Sequence, residues 1–244
     1  MSKKDHRERE AKAVFSYSGT ELEALRGATY YYRWILSCFL PHVGKRVIEV
    51  GAGLGTFSEF ILNETGASEL FLIEPDSDHI SLLTRRYGEN PRVKIIQGHL
   101  EHRVDFFIVD SVIAVNVLEH VEDDEAFLRC AHKALAQGGT LLLFVPAFPW
   151  LYGTLDKVAG HFRRYDKALL RSKLKKAGFR VLDLFYFNFP GIVGWLLAGK
   201  VFRLKTLNTL QVQLYDKWVV PWVSRLEKHC KPVLGQSLVA IAEK

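Results

Sequence analysis

Arg46-Val47-Ile48-Glu49-Val50-Gly51-Ala52-Gly53-Leu54-Gly55-Thr56 is the stretch on which the reading of this chain turns. An apolar run closes on glycines at every second position, and a helical pattern opens near Thr56. Strand, tight turn and helix N-terminus in that order set backbone N–H groups and the positive end of a helix dipole beneath a nucleotide-like ligand. Glycine allows the dihedrals and close approaches that a Cβ would block. Glu49, two positions before Gly51, belongs to the same crevice.

The next apolar run, Leu70-Phe71-Leu72-Ile73, ends directly on Glu74-Pro75-Asp76. Glu74 stands about 20 residues beyond the glycine loop, where a carboxylate can accept both hydroxyls of an adenosine ribose. Two cofactors satisfy that geometry. A nicotinamide dinucleotide calls for a third glycine three residues after the second, and Thr56 holds that place counted from Gly53. The tighter Glu-x-Gly-x-Gly-x-Gly spacing suits S-adenosylmethionine better.

On these landmarks the chain resembles the class I S-adenosylmethionine-dependent methyltransferases, in particular the small-molecule branch of quinone-type and natural-product enzymes. The resemblance runs from Arg46 to Phe187 and resumes at Gly235. A third landmark is Gln97-Gly98-His99-Leu100, where the family usually places an aspartate that accepts from the adenine amino group. A neutral imidazole at His99 can also accept, and the Leu100 amide remains available. Asp110 to Val121, containing Asn116-Val117-Leu118-Glu119-His120, is the fourth landmark, and Leu135-Ala-Gln-Gly138-Gly139-Thr140 with the strand to Pro146 is the fifth. The resemblance implies a Rossmann-like, doubly wound α/β fold: a seven-stranded sheet, mostly parallel, with the last strand antiparallel between its two neighbours. It also implies S-adenosylmethionine as cofactor, leaving S-adenosylhomocysteine as product. The cofactor residues it assigns are Glu49, Gly51, Ala52, Gly53, Gly55, Glu74, Pro75, His99, Leu100, Asn116 and Val117.

A chain of 244 residues with 48% hydrophobic content can bury one substantial core, so a single domain is expected over 1–244. It divides into a charged arm (1–18), an N-terminal cover helix (19–41), a cofactor-binding core (46–188), a helical insertion (189–233) and a last strand (235–244). Strands near 46–51, 69–74, 92–97, 108–115 and 139–146 alternate with helices near 55–64, 77–87 and 122–136, which implies a parallel sheet covered on both faces. A helix near 166–177 and a strand near 179–187 follow.

Cys38, Cys130 and Cys230 form no Cys-x-x-Cys pair, so neither a disulfide framework nor a metal site is expected, and a cytoplasmic location fits. The net charge of +6 is spread along the chain rather than gathered in a run, and no nucleic-acid partner is expected.

Two segments depart from a minimal fold and are expected to carry acceptor choice. Pro146 to Tyr165 is long, irregular and placed at the C-terminal end of a strand, where open α/β sheets bind ligands. Its aromatic and basic residues suggest a pocket wall with an anion-binding rim. The insertion's apolar core near Trp195 is about a dozen residues, short of the roughly 20 that span a bilayer. It reads as a helical cap, or as a lid that admits a small apolar or lipid-linked acceptor while resting on a membrane surface through Lys200, Arg203 and Lys205.

Methyl transfer from a sulfonium is an in-line displacement, so the protein must position the acceptor, exclude water and take up a proton. His120, on the loop after the fourth strand, is a candidate base, and His161 and Tyr165 are the others. Oxygen methylation is the expected reaction. A protein or RNA methyltransferase, and a non-catalytic cofactor-binding module, are the alternatives.

Overall fold

The computed structural model describes residues 27–102, 108–204, 206 and 208–244. The charged arm, the first residues of the cover helix and Lys205 lie outside them.

Five strands form the cofactor-binding half: β1 (Arg46–Val50), β2 (Glu69–Glu74), β3 (Val93–Gln97), β4 (Val109–Val115) and β5 (Leu135–Pro146). With β6 (Arg180–Phe187) and β7 (Ser237–Glu243) they make one seven-stranded sheet in the order β3-β2-β1-β4-β5-β7-β6. β7 runs antiparallel to both β5 and β6, and the remaining pairs are parallel, which is the expected topology. β1 and β2 are buried on both faces almost throughout, which is why they read as unbroken apolar runs rather than alternating ones.

The helices α1 (Thr29–Phe39), α2 (Thr56–Glu64), α3 (Ser77–Tyr87), α4 (Asp124–Ala134), α5 (Thr154–Ala159) and α6 (Lys167–Lys176) flank the sheet. Aspartate N-caps place several of their starts: Asp76 accepts from the Asp78 and His79 amides, Asp123 from Ala126 and Asp166 from Leu169. One boundary differs from expectation. No separate glycine turn follows α4, because β5 begins at once with Leu135 and absorbs Gly138 and Gly139 as a register irregularity between Val109↔Leu135 and Ser111↔Thr140. Gly138 takes a left-handed φ of 75° and donates to the Lys244 carbonyl at 3.2 Å, so the turn is folded into the start of β5.

The insertion is helical: α7 (Phe189–Trp195) continues through a π turn to Val201, and α8 (Thr209–Trp218) and α9 (Val220–His229) follow. α8 and α9 pack on α1. The Asp216 carboxylate on α8 accepts the Tyr30 and Tyr31 amides at 3.2 and 2.8 Å, satisfying two N–H groups at the start of α1. Cover helix and insertion are therefore tied together, at the start of α1. No helix among the described residues is long and apolar enough to cross a membrane.

Candidate active site

A cavity of about 910 Å3 opens where the strand order reverses, between β1 and β4. Its floor is the glycine loop. Gly51 holds φ at 70°, and a Cβ there would stand 2.6 Å from Val117 Cγ2, so glycine is what lets this loop meet the end of β4. Glu74 ties the loop down: Oε2 accepts the Gly53 amide at 2.8 Å, and Oε1 accepts the Asp76 amide at 3.0 Å. His79 Nδ1 stands 3.5 Å from Oε1, and that contact raises the imidazole's pKa.

Glu49 is buried beneath the loop and accepts from the Ser58 hydroxyl at 2.5 Å. Burial pushes its carboxyl up to about 8, with the Ser58 hydrogen bond opposing and the Glu74 charge adding. Among the described residues no Lys or Arg forms a salt bridge with Glu49 or Glu74. Two acidic side chains with no Lys or Arg beside them make an acceptor set for a cationic, hydroxyl-bearing ligand and offer no counter-charge to a pyrophosphate. Glu74 uses one hydrogen bond on each oxygen, which leaves acceptor capacity for ribose hydroxyls. The residues present therefore fit S-adenosylmethionine, and fit it better than a dinucleotide.

Ala52, Pro75, His99, Leu100, Asn116 and Val117 all line this cavity, as do Glu49, Gly51, Gly53 and Glu74. Asn116 sits at φ 52°, an uncommon conformation for a residue other than glycine, and its amide donates to the Phe144 carbonyl at 2.8 Å. Gly55 is a correction. It lies off the cavity wall, and a Cβ there would come within 2.7 Å of the Tyr87 ring and 2.8 Å of Leu83. Its φ of 74° and its packing against α3 serve the fold.

Beyond the loop, His120 and His161 line the wall together, with ring centroids 4.7 Å apart and planes at 82°. His161 Nδ1 is 2.8 Å from Asp156 Oδ1. Asp156 is fully buried and also accepts from Arg164 Nε at 2.7 Å, the Gly153 amide at 2.9 Å and Trp195 Nε1 at 3.3 Å. Burial works to raise the Asp156 carboxyl, but the hydrogen bonds and charges of His161 and Arg164 outweigh it and hold it below its ordinary value. His120 is pushed down to about 3, first by burial and then by the neighbouring His161. Glu119, buried beside them, is pushed up to about 7 by burial.

Tyr165 is a second correction. It is fully buried, and its hydroxyl bonds Asp124 Oδ2 at 2.9 Å and the Leu118 carbonyl at 3.2 Å, off the cavity wall. Burial and the Asp124 carboxylate raise its pKa far above the ordinary tyrosine value, which removes it from the candidate bases. The basic residues expected to form an anion-binding rim already have acidic partners, although Arg164 does reach the cavity wall. Arg164 is committed to Asp156 and the Ala147 carbonyl, and Arg163 to Asp124 and the Glu122 carbonyl. Of that segment's aromatics, Trp150, Tyr152 and Phe162 do not line the cavity. Its aromatic wall comes instead from Tyr31 and Tyr32 on α1, Phe57 on α2, Phe144 on β5, and Trp195 and Tyr215 in the insertion.

Asp156 and its contact with Trp195 were missed by sequence reasoning, as was the grouping of Glu119 with two histidines. No spacing signals them, because 42 residues part Glu119 from His161, and Trp195 sits in the insertion.

A model of the methyltransferase domain matches residues 24–184, well over half of the chain. The ubiquinone biosynthesis O-methyltransferase of Rattus norvegicus is 30% identical over 111 residues, 42% of this chain and 31% of that protein. A Mycolicibacterium smegmatis chain named "Probable S-adenosylmethionine-dependent methyltransferase" is 29% identical over 143 residues, 57% of this chain and 54% of that one. The chain thus spans about a third to a half of the length of these relatives. Among solved structures, the Mesorhizobium loti S-adenosylmethionine-dependent methyltransferase superposes with a TM-score of 0.57 at 16% identity, covering 86% of this chain and 95% of that one. Phosphoethanolamine N-methyltransferase 2 of Haemonchus contortus, in complex with S-adenosylmethionine, gives 0.58 at 18% identity over 88% and 52%. The chain belongs to the class I S-adenosylmethionine-dependent methyltransferases.

Proposed function

We propose that this protein methylates a hydroxyl of a small apolar or lipid-linked acceptor. The observation that carries the reading is the His161–Asp156 pair on the wall of the cavity whose floor is the Glu74-tethered glycine loop. S-adenosylmethionine, when bound, supplies an electrophilic methyl carbon. Glu74, Glu49 and the amides of the loop hold that end of the cavity, with His99, Leu100, Asn116 and Val117 along it. The cover helix and insertion exclude water and orient the acceptor with aromatic faces, where positioning contributes most of the rate. Asp156 orients the His161 ring, and His161 with His120 forms the polar end at which the acceptor's proton leaves.

The resemblance to ubiquinone biosynthesis O-methyltransferases supports a hydroxyl acceptor of apolar character. So does the outer face of the insertion, where Leu210, Leu214, Trp218, Trp222 and Leu226 stand exposed beside Lys217 and Arg225. That face suits a cytoplasmic enzyme resting on an anionic membrane.

The test is label transfer from methyl-labelled S-adenosylmethionine in lysate. Label is expected in the solvent-extractable small-molecule and lipid fraction. Label confined to polypeptide or RNA would sink the acceptor class.

A further inference from the structure

Glu119, His120 and His161 make a cluster that cofactor binding leaves unexplained. Glu119 is fully buried, and neither of its carboxylate oxygens has a hydrogen-bond partner. A buried carboxylate in that condition is costly until it takes up a proton or a cation. One ligand atom from each of the three side chains lies within 4.8 Å of the other two.

The surroundings are built to orient an imidazole. His161 gives Nδ1 to Asp156, and Asp156 is itself held by Arg164, the Gly153 amide and Trp195. A carboxylate on one ring nitrogen orients the ring, the arrangement found around ligating histidines. The second imidazole, His120, meets the first edge-on at 4.7 Å.

We propose that Glu119, His120 and His161 bind a divalent transition-metal ion at the acceptor end of the cavity. Two imidazoles and one carboxylate with a position left open is a donor set for zinc, and imidazole disfavours magnesium or calcium. His120 and His161 both line the cavity, so an ion held by them would be reachable from it. The ion's charge would favour the ionised form of an acceptor hydroxyl, and its proton would pass to solvent. This role rests on the methyl-transfer reading; the binding of the ion does not.

The test uses the full chain, stripped with a chelator and titrated with zinc chloride alone by calorimetry, with metal content measured after dialysis. The wild type is expected to retain one zinc per chain. Glu119→Gln and His161→Gln are each expected to weaken zinc binding by at least about tenfold, and Asp156→Asn by about 10–100-fold. S-adenosylhomocysteine binding to the stripped protein reports folding of each variant independently. Cobalt substitution in the wild type is expected to give the intense visible bands of a low-coordinate site. No retained zinc in the wild type, zinc binding unchanged in a folded Glu119→Gln, or the weak spectrum of an octahedral cobalt ion would each overturn the proposal. Failure to bind S-adenosylhomocysteine would instead count against the methyl-transfer reading, whatever zinc does.

Discussion

Asp156 and His161 are joined twice: side chain to side chain at 2.8 Å, and His161 amide to Asp156 carbonyl at 2.9 Å. The double tie turns the six residues from Asp156 to His161 into a closed loop at the cavity wall, and the Arg164 guanidinium, 4.6 Å from the Trp195 ring centre, ties Asp156 to the insertion. The position of His161 is thereby coupled to the seating of the insertion. Asp156→Asn removes the charge that compensates a guanidinium only 2% exposed. Breaking one side of a buried pair costs about 3–5 kcal/mol, so a loss of that order is expected in urea unfolding, together with a fall in turnover. Full stability in the variant would refute the coupling.

Glu74 does two tasks with one carboxylate. It ties the glycine loop to β2 through the Gly53 amide, and it presents acceptor lone pairs to the cavity. Glu74→Ala is expected to weaken S-adenosylhomocysteine binding by about 1.5–3 kcal/mol, roughly ten- to a hundredfold, by calorimetry. Unchanged affinity would place the ribose elsewhere.

Glu49 carries a proton in the free protein at neutral pH, since burial pushes it up to about 8. A cationic ligand favours the ionised carboxylate, so binding S-adenosylmethionine at pH 7 is expected to release part of a proton. Calorimetry in buffers of different ionisation enthalpy measures this release, and Glu49→Gln should abolish it. Stability follows with a definite sign. Between the unfolded value of 4.5 and about 8, the folded state holds a proton that the unfolded state has lost. Stability therefore falls as pH rises through that window, by up to about 1.4 kcal/mol per unit, and Glu49→Gln should flatten this slope.

The order of strands and helices was legible because each inner strand is an apolar run stopped by a turn residue, as at Ile73-Glu74-Pro75. That Gly51 and Glu74 meet at one cavity was legible for the same reason, since both sit at strand ends. Gly55 was misread because the glycine spacing carries no sign of direction: Gly51 meets the β4 loop, whereas Gly55 meets Tyr87 on the outer side. In the segment after β5 there is no period to assign faces. Arg163 and Arg164 looked like a charged rim, and only the chain's path shows them turned onto Asp124 and Asp156. Tyr165 and His161, four residues apart, part ways there too, one into the core and one onto the wall.

Two glycines with nearly equal dihedrals separate backbone strain from packing. Gly51 has φ 70° with Val117 Cγ2 2.6 Å from the Cβ position, and Gly138 has φ 75° with nothing within 4 Å. Gly138→Ala should cost about 1–2 kcal/mol of stability, the left-handed penalty alone, and leave cofactor affinity intact. Gly51→Ala should cost more and weaken S-adenosylhomocysteine binding as well, because the loop must back away from Val117. Equal losses in the two variants, with binding spared in both, would show that close approach at Gly51 contributes nothing.

The outer stripe of the insertion gives the last prediction. Leu210, Leu214 and Trp218 recur every four residues on α8, and Trp222 and Leu226 extend the line along α9. Trp218 and Trp222 are 64% and 70% exposed, so the fold gains little from them. Lys217 and Arg225 stand over those two rings, 5.6 and 5.7 Å from their centres, which places cations beside apolar faces as an interfacial helix does. Replacing both tryptophans with serine should leave the unfolding midpoint within about 0.5 kcal/mol of wild type, as for surface substitutions. Sedimentation with vesicles containing anionic lipid should fall at least about tenfold, the effect of losing a little over 1.4 kcal/mol. Raising salt should weaken the wild type's binding while leaving the apolar part, since only the cationic contribution is screened. If the wild type ignores vesicles and light scattering finds a dimer that the double variant dissolves, the stripe is an interface between two copies, and the membrane reading falls.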